Sequence, residues 1–229
     1  MRGGSGDDGR TAGRATGARA GSHGRDLRER DELLHTYAPL ARMRGATGIR
    51  RRTASLLNDD RGQLELAFAL LLSMPGVPVV YYGDEIGMGK NLSLPGHLAV
   101  NTPMQWAPDR NGGFSVAQPE NLPAPLIHES IYGYMAVNVE NQLRSRCSLL
   151  HVVEKLIETR HAWTAFSRPG CRIVRSTNPA VLAFLRGERG DDGAEFPKVQ
   201  ESGEYDCGVA GHGFFWLSLS TAEARPSPA

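Results

Sequence analysis

Hydrophobic positions divide the chain into several helices, one continuous apolar run and a set of short strands. Between Asp26 and Arg44 the apolar residues recur on roughly one face, which predicts an amphipathic helix. A second helix is predicted from a cap at Asp59-Asp60 to about Ser73, with apolar residues on nearly every side. A helix of that kind must pack against a large hydrophobic surface.

The second helix is followed by a short run of residues whose hydrophobicity is continuous and shows no helical period. Pro75 and Gly76 end the helix, and residues 77–82 are then continuously apolar up to a polar turn. Continuous hydrophobicity is typical of a strand buried on both faces of a parallel sheet. Because helix, short loop, buried strand and polar turn is the order found in α/β barrels, we predict a barrel strand over 77–82.

The second half of the chain begins with a long irregular stretch. Residues 87–132 lack periodicity and are rich in Pro, Asn and Gly, which predicts a long loop that its aromatic residues allow to pack. A helix is predicted over about 148–161. Strands are predicted over 171–174, 181–185 and 213–219.

The two ends contain too little apolar surface to offset the entropy of ordering them. We predict disorder for the Gly- and Arg-rich residues 1–25 and for the Pro/Ala/Ser tail 221–229. The chain between them is expected to form a larger region over 26–168, which includes the long loop, and a small β region over 169–220.

Composition describes an ordinary globular protein. The 229 residues are 40% hydrophobic and 22% charged, with a net charge of +1, so neither nucleic acid nor an acidic membrane surface is an expected partner. The arginines concentrate near the start and end in Arg50-Arg51-Arg52, which we interpret as a solvated face.

The cysteines indicate neither disulfides nor a metal site. There are three, widely spaced and without a neighbouring histidine cluster: Cys147, Cys171 and Cys207. Free thiols in a reducing compartment are the simplest interpretation. No metal or cofactor is predicted. Because we find neither a secretory signal nor an apolar stretch long enough to span a bilayer, we expect a cytoplasmic protein.

Several motifs resemble the trehalose synthase branch of the α-amylase superfamily. The run from Pro75 to Met88 is similar to the eighth barrel strand and its exit loop. The blocks 102–106 and 108–114 are similar to the long loop of the trehalose synthase and oligo-1,6-glucosidase branch. Residues 132–140 point to trehalose synthase within that branch, and Gly48 to Arg52 resembles a helix preceding the seventh barrel helix.

The resemblance extends over about Asp26 to Ser220 and implies a fold. That fold is the last part of a (β/α)8 TIM barrel followed by an abbreviated antiparallel β C-terminal domain, whose closing strand resembles 211–216. A barrel strand over 77–82 would have no parallel neighbour here. We therefore expect an exposed apolar edge and a marginal fold.

The resemblance also implies a reaction, the interconversion of maltose and trehalose by intramolecular glucosyl transfer. This retaining chemistry uses two carboxyl groups about 5 Å apart. The motifs that carry the nucleophile, the acid/base and a third aspartate in the family do not occur in this chain, so we predict no catalytic residue and no activity of the chain alone. The missing groups could come from a partner chain that carries the N-terminal barrel.

Six residues are candidates for contact with a small sugar, maltose or trehalose: Tyr82, Asp84, Glu85, Gln105, Trp106 and Arg110. Arg110 is the strongest of them, because a guanidinium can donate to two sugar hydroxyls or pair with a carboxylate. The alternative for Arg110 is a surface ion pair with Asp109 or Glu120.

The other five candidates each have a structural alternative. The indole of Trp106 could stack on a pyranose ring or anchor the loop, and Gln105 beside it could contact the sugar. Tyr82 could line a sugar pocket or be buried in the barrel. Asp84 and Glu85 follow the predicted strand, at the end of a barrel that carries chemistry, but we favour a role in capping backbone amides.

Two other functions stay open at this point. The chain could derive from an α-glucosidase or oligo-1,6-glucosidase of the same branch, which would release glucose from maltose. It could also be a non-catalytic carbohydrate-binding or interaction module, which would bind maltose without turnover.

Overall fold

The computed structural model describes residues 28–45, 48–128, 131–187 and 210–217. Within the chain there are two compact units, 1–50 and 51–229. The ends predicted to be disordered, 1–25 and 221–229, lie outside the described residues, as does Cys207.

Among its described residues, 28–45 and 48–50, the first unit contains one helix and one 3-10 turn. Helix α1 covers 28–37, and a 3-10 turn follows at Ala41–Met43. The helix predicted up to Arg44 therefore ends earlier, because Pro39 cannot continue it. Arg44 then pairs with Ile49 in an isolated antiparallel bridge, so the family resemblance of 48–52 to a helix is not matched by helical structure there.

The second unit contains four further helices among its described residues: α2 (Thr53–Leu56), α3 (Arg61–Ser73), α4 (Val139–Arg144) and α5 (Leu149–Ala162). The side chain of Asp60 accepts a hydrogen bond from the backbone N–H of Gln63 at 2.9 Å and so caps α3. Ser148 caps α5 in the same way. The predicted helices over 61–73 and 148–161 are confirmed.

The core of the second unit lies between α3 and α5. Leu64, Phe68 and Leu72 of α3 are buried together with Val153 and Leu156 of α5. The i, i+4, i+8 spacing on α3 puts its three large side chains on one face, so this face forms one wall of the core. Leu70 and Leu71 remain 38% exposed on the other side of α3.

The run over 77–82 differs from its prediction. It forms neither helix nor strand, and Val77 and Val79 are 90% and 78% exposed, whereas Val80 packs against the core. A parallel strand needs a neighbour on at least one edge to complete its hydrogen bonds, and among the described residues none is provided. The prediction of a buried strand here is wrong. Val77 and Val79 are exposed, but the run forms no strand edge, and Val80 packs on the core.

The described C-terminal part contains a two-stranded antiparallel sheet. Strand β1 (Cys171–Val174) pairs with β2 (Ala183–Arg186) in a register that places Cys171 opposite Arg186. Both strands were predicted, although the predicted β2 begins two residues before the observed one. The guanidinium of Arg186 donates to the carbonyls of Phe166 and Arg168, which attaches the sheet to the segment after α5.

The last predicted strand, over 213–219, is absent from its described part. Residues 213–217 form no strand, and 218–219 lie outside the described residues. Phe214 and Trp216 instead pack on the α3–α5 core, where the Trp216 ring lies 4.9 Å from the ring of Phe166. Partial burial of these two aromatic rings contributes to the stability of this segment.

The long loop over 87–132 is confirmed. Its described residues contain only 3-10 turns, at Gly96–Ala99, Arg110–Gly113 and Pro119–Asn121. Met88, Met104 and Ile127 are buried, so the loop is packed even though it lacks regular structure. No helix in the part of the chain that the structure describes is long and apolar enough to cross a bilayer. Cys147 and Cys171 are free thiols and exposed.

Candidate functional site

A tight turn after residue 82 begins the candidate site. Gly83 has a left-handed backbone (φ 83°), followed by a 3-10 turn at Asp84–Ile86. A Cβ at Gly83 would lie 2.3 Å from the sulfur of Met88, so both the conformation and the space require glycine. The backbone N–H of Met88 donates back to the carbonyl of Gly83 at 2.8 Å, which closes the turn.

Asp84 is bound to groups that precede α3. Its Oδ1 accepts from Nε of Arg52 at 3.1 Å, and its Oδ2 accepts from the hydroxyl of Thr53 at 2.7 Å. The side chains of Arg52 and Asp84 are only 1% and 14% exposed. Both oxygens of Asp84 are therefore occupied by structural contacts, but the donors are side chains and not the backbone amides that the sequence interpretation expects.

Arg52 makes hydrogen bonds to both the turn and the long loop. Besides Asp84, its guanidinium donates to the carbonyl of Val100 at 2.9 Å and to the carbonyl of Tyr82. Its Cζ lies 5.0 Å from the ring centroid of Tyr81 and 5.2 Å from that of Tyr82. The interpretation of the arginine run as a solvated face is wrong for Arg52, because the segment 81–84 and the loop at Val100 enclose its side chain and supply acceptors.

A pocket of about 420 Å³ lies beside the turn. Its wall is formed by residues of the turn and of the long loop: Tyr82, Glu85, Asn101, Thr102, Pro103, Met104, Trp106, Phe114 and Pro123. This volume is within the range of small-molecule sites. The wall is mostly apolar, with two half-exposed aromatic side chains, Trp106 and Phe114, at 50% and 42% exposure.

Glu85 is the charged group of this wall. Burial is the largest influence on it and raises the pKa of its carboxyl group; Asp84 adds to the rise, while backbone N–H groups and Arg52 oppose it. Its Oε2 atom is buried and has no hydrogen-bond partner among the described residues. The hydroxyl of Thr102, on the same wall, is also buried without a partner.

Two tyrosine hydroxyls join the turn to the long loop. The hydroxyl of Tyr81 donates to Oδ1 of Asn101, and that of Tyr82 donates to the carbonyl of Thr102, both at 2.8 Å. Desolvation raises the pKa of the Tyr82 hydroxyl, with a further contribution from Tyr81, against the opposing effect of Arg52. Tyr82 lines the pocket with its ring at 40% exposure, so it is not a buried barrel tyrosine.

Gln105 lies next to the pocket but does not line it. Its side chain is fully buried, and its Nε2 donates to the carbonyls of Tyr132, at 3.1 Å, and Val137. The carbonyls of Gln105 and Trp106 accept from the first N–H groups of α4, at Val139 and Glu140. The side-chain amide of Gln105 therefore holds the segment before α4, and the carbonyls of Gln105 and Trp106 hold the first turn of α4.

Arg110 also lies away from the pocket wall. Its guanidinium donates to the carbonyl of Ala117 at 3.2 Å and to Oε1 of Gln118 at 2.9 Å, both exposed contacts within the loop. The alternative partners considered from sequence, Asp109 and Glu120, form no ion pair with it. The structure thus brings Tyr82, Glu85 and Trp106 together and leaves Arg110, Gln105 and Asp84 outside this wall.

Several residues of the site, among them Arg52, Thr102 and Phe114, were not predicted from the sequence. Arg52 was hidden within a run of arginines, although the small residues Ala54 and Ser55 that follow it indicate a buried segment. Thr102 and Phe114 belong to the motifs that carry the family resemblance, but nothing in those motifs marked either residue as part of a pocket. Within the described ranges no group of three or more metal-ligating side chains comes together.

Comparison with known proteins places this geometry in a family. The family description "Alpha amylase, catalytic domain" matches residues 50–168, which include Arg52, the turn and the whole pocket wall. The chain belongs to the α-amylase family. It contributes part of a catalytic domain of that family, whose fold class is the α/β barrel expected from the sequence.

The curated relatives include trehalose synthases. The chain is 40% identical over 234 residues to the trehalose synthase/amylase of Mycobacterium tuberculosis, which covers 87% of this chain and 39% of that protein. It is 40% identical over 235 residues to the trehalose synthase of a Pimelobacter species, covering 87% of this chain and 41% of that protein. The chain therefore spans about two fifths of the length of these relatives.

Among solved structures, the trehalulose synthase from Pseudomonas mesoacidophila matches at 22% identity with a TM-score of 0.49. The match covers 61% of this chain and 31% of that one.

Proposed function

We propose that the chain is part of a trehalose synthase-like protein that interconverts maltose and trehalose by intramolecular glucosyl transfer. The observation that carries the proposal is the 40% identity to trehalose synthases over 87% of the chain. The matched residues include the turn and the loop that form the pocket, so the likeness extends over the candidate site.

We further propose that these residues do not perform the chemistry alone. A retaining mechanism uses one carboxylate as nucleophile and a second as acid/base, about 5 Å apart. Asp84 is unsuited to either part, because Arg52 and Thr53 bind both of its oxygens. Glu85 lines the pocket as its one carboxyl group, which favours a binding role.

Within this proposal, the pocket binds one pyranose ring of the sugar. The exposed indole of Trp106 offers a flat apolar surface for the C–H face of the ring, and Tyr82 and Phe114 enclose it. Glu85 supplies an acceptor, or a donor when protonated, for a sugar hydroxyl. Arg110 is assigned to the loop rather than to the sugar, because its contacts are internal.

A chain that carries the rest of the catalytic domain is the proposed partner. The exposed apolar residues of 77–82 support this, since Val77 and Val79 have no cover among the described residues. Co-expression with a polypeptide that contains the first part of a trehalose synthase domain should yield a complex that forms trehalose from maltose. Failure of the two chains to co-purify would remove this part of the proposal.

A non-catalytic sugar-binding module is the second candidate, favoured by a pocket that lies within this chain. The test is an assay of the purified chain with maltose, with trehalose and glucose quantified separately and binding followed by calorimetry. Binding without product supports a sugar site that depends on other groups for catalysis. Trehalose formation by the chain alone would contradict the proposed inactivity, and glucose as the sole product would indicate an α-glucosidase.

A further inference from the structure

We infer that Arg52 is a positioning residue that holds together the two walls of the pocket lined by Trp106. By doing so, Arg52 determines whether the pocket binds a sugar ring. The binding part of this inference rests on the proposed function. Arg52 does not line the pocket and is not offered as a contact to the ligand. It acts through the groups that do.

The two walls come from segments that share no strand or helix. One wall is the turn that carries Tyr82 and Glu85, and the other is the loop segment 101–104. Arg52 donates to the carbonyl of Tyr82 on the first wall and to the carbonyl of Val100, directly before the second. One planar guanidinium therefore fixes the distance between the walls.

The aromatic contacts of Arg52 strengthen the same connection. Its guanidinium lies against the rings of Tyr81 and Tyr82, whose hydroxyls both reach across to the second wall, at Asn101 and Thr102. The ion pair with Asp84 sets the orientation of the guanidinium. Loss of Arg52 would thus remove the contact beneath both rings and the tie between the turn and Val100 at once, whereas each tyrosine hydroxyl connects only one pair of residues.

Lysine cannot replace arginine here. An ammonium group is a single donor centre, whereas Arg52 uses Nε and both terminal nitrogens toward three acceptors, two on the turn and one on the loop. Arg52→Lys would preserve the positive charge next to Asp84 and leave at least one wall without its tie. This separates the geometric role from the charge.

Arg52 also influences the carboxyl group in the pocket. The charged groups that act on Glu85 are Arg52, which lowers the pKa of its carboxyl, and Asp84, which raises it. Replacement of Arg52 by Met leaves Asp84 without its counter-charge, so the pKa of Glu85 should rise further. This titration reports on the pocket even when no ligand is present.

Arg160 provides a matched control. Its guanidinium also donates to three backbone carbonyls, those of Leu72, Gly76 and Phe166, and lies over an aromatic ring, but none of these groups lines the pocket. Arg160→Lys and Arg160→Met should therefore destabilise the chain without changing the pocket. Any effect shared by both positions is a general cost of losing an internal arginine.

The experiment compares the full-length wild-type chain with Arg52→Lys, Arg52→Met and the two Arg160 variants. Maltose affinity is measured by calorimetry, and the titration of Glu85 by NMR of ¹³C-labelled glutamate, with circular dichroism to verify folding. We expect about tenfold weaker maltose binding in Arg52→Lys, on the scale of one lost charge-assisted hydrogen bond. In Arg52→Met we expect the Glu85 carboxyl to titrate with a higher midpoint pH. In the two Arg160 variants we expect neither the maltose affinity nor the Glu85 midpoint to change.

Each outcome decides the inference. Unchanged affinity in Arg52→Lys, or equal changes at Arg160, would reduce Arg52 to a general structural residue. If the wild-type chain binds no maltose, the proposed sugar site fails, and the Glu85 midpoint in Arg52→Lys, which keeps the charge, then decides the inference: a midpoint equal to that of the wild type would mean that Arg52 does not organise the pocket. Should Arg52→Met not fold, Arg52→Lys carries the comparison, because it keeps the positive charge next to Asp84.

Discussion

Nε of Arg52 lies 3.1 Å from Oδ1 of Asp84, and the two side chains are 1% and 14% exposed although they are 32 positions apart in the chain. Removing one partner of a buried pair leaves the other charge uncompensated. We expect Asp84→Ala to lower the free energy of unfolding by about 3–5 kcal/mol in a urea titration.

Glu140→Ala is the control for this comparison. Its ion pair with Arg144 on α4 is an exposed i, i+4 pair, so its loss should cost no more than about 0.5 kcal/mol. Similar losses for Asp84→Ala and Glu140→Ala would show that the Arg52–Asp84 pair is solvated.

A second prediction concerns the α3–α5 core. Leu72 is 2% exposed and packs in this core, whereas its neighbour Leu71 is 38% exposed. Leu72→Ala should lower the free energy of unfolding by about 2–5 kcal/mol because it leaves a cavity. Leu71→Ala, on the same helix, should cost clearly less. Denaturant titration of both variants measures the difference, and equal losses would contradict the described packing of α3.

A third prediction concerns Asn138, which is fully buried at the start of α4. Its Oδ1 accepts from the N–H of Asn141 at 2.8 Å, and its Nδ2 donates to the carbonyl of Tyr134 at 2.9 Å. Asn138→Ala should lower the thermal midpoint by removing the cap, worth about 1 kcal/mol, together with the second bond.

Asn138→Asp keeps the acceptor and loses the donor, so it tests the second bond separately. It also places a charge in a buried position. We expect it to be destabilising at neutral pH and to approach the wild type in acid, where the carboxyl is protonated. No pH dependence of the difference between Asn138→Asp and the wild type would mean that position 138 is open to solvent.

The fourth prediction is a pH dependence due to Glu85. Because burial raises the pKa of this carboxyl in the folded chain, the folded chain still holds a proton at pH values where the unfolded chain has released it. The free energy of unfolding therefore falls as pH rises from the ordinary value of 4.5 through the raised pKa.

Glu85→Gln removes this titration. We expect its thermal midpoint to exceed that of the wild type at neutral pH, and this advantage to vanish below pH 4.5. Glu154→Gln, at an exposed position on α5, is the control and should show no such pH-dependent gain. A lower midpoint for Glu85→Gln at neutral pH would mean that the Glu85 carboxylate is stabilised in the fold.

The fifth prediction separates two candidates for sugar binding. Trp106 lines the pocket, whereas Arg110 is engaged with Ala117 and Gln118. Trp106→Ala should weaken maltose binding by about tenfold, the scale of one lost ring contact. Arg110→Ala should leave it unchanged. Calorimetry measures both, and the reverse order would move the sugar site to the exposed part of the loop.

Local signals were sufficient for the helices and for the short sheet. The Asp60 and Ser148 caps and the apolar periodicity after them lie within a few residues of the elements they define, so α3 and α5 were predicted closely. The strands β1 and β2 were predicted within two residues. In the first unit, α1 ends at residue 37, before Pro39, although its apolar pattern continues to Arg44.

The segment over 77–82 shows the limit of such signals. Its composition is that of a buried strand, but a strand is defined by hydrogen bonds to a neighbour, and composition does not reveal whether one is present. The composition of 213–217 is also that of a strand, but Phe214 and Trp216 pack on the apolar core and the segment has no strand partner among the described residues.

By itself, the sequence determined the family resemblance, the helices and their caps, the position of the long loop, and three of the residues that line the pocket, Tyr82, Glu85 and Trp106. Only the tertiary structure decided the roles of Arg52, Asp84 and Arg110. The acceptors of Arg52 lie 30 to 48 positions further along the chain. Whether a charged side chain is solvated or buried depends on such distant partners, because only they can replace the water that burial removes.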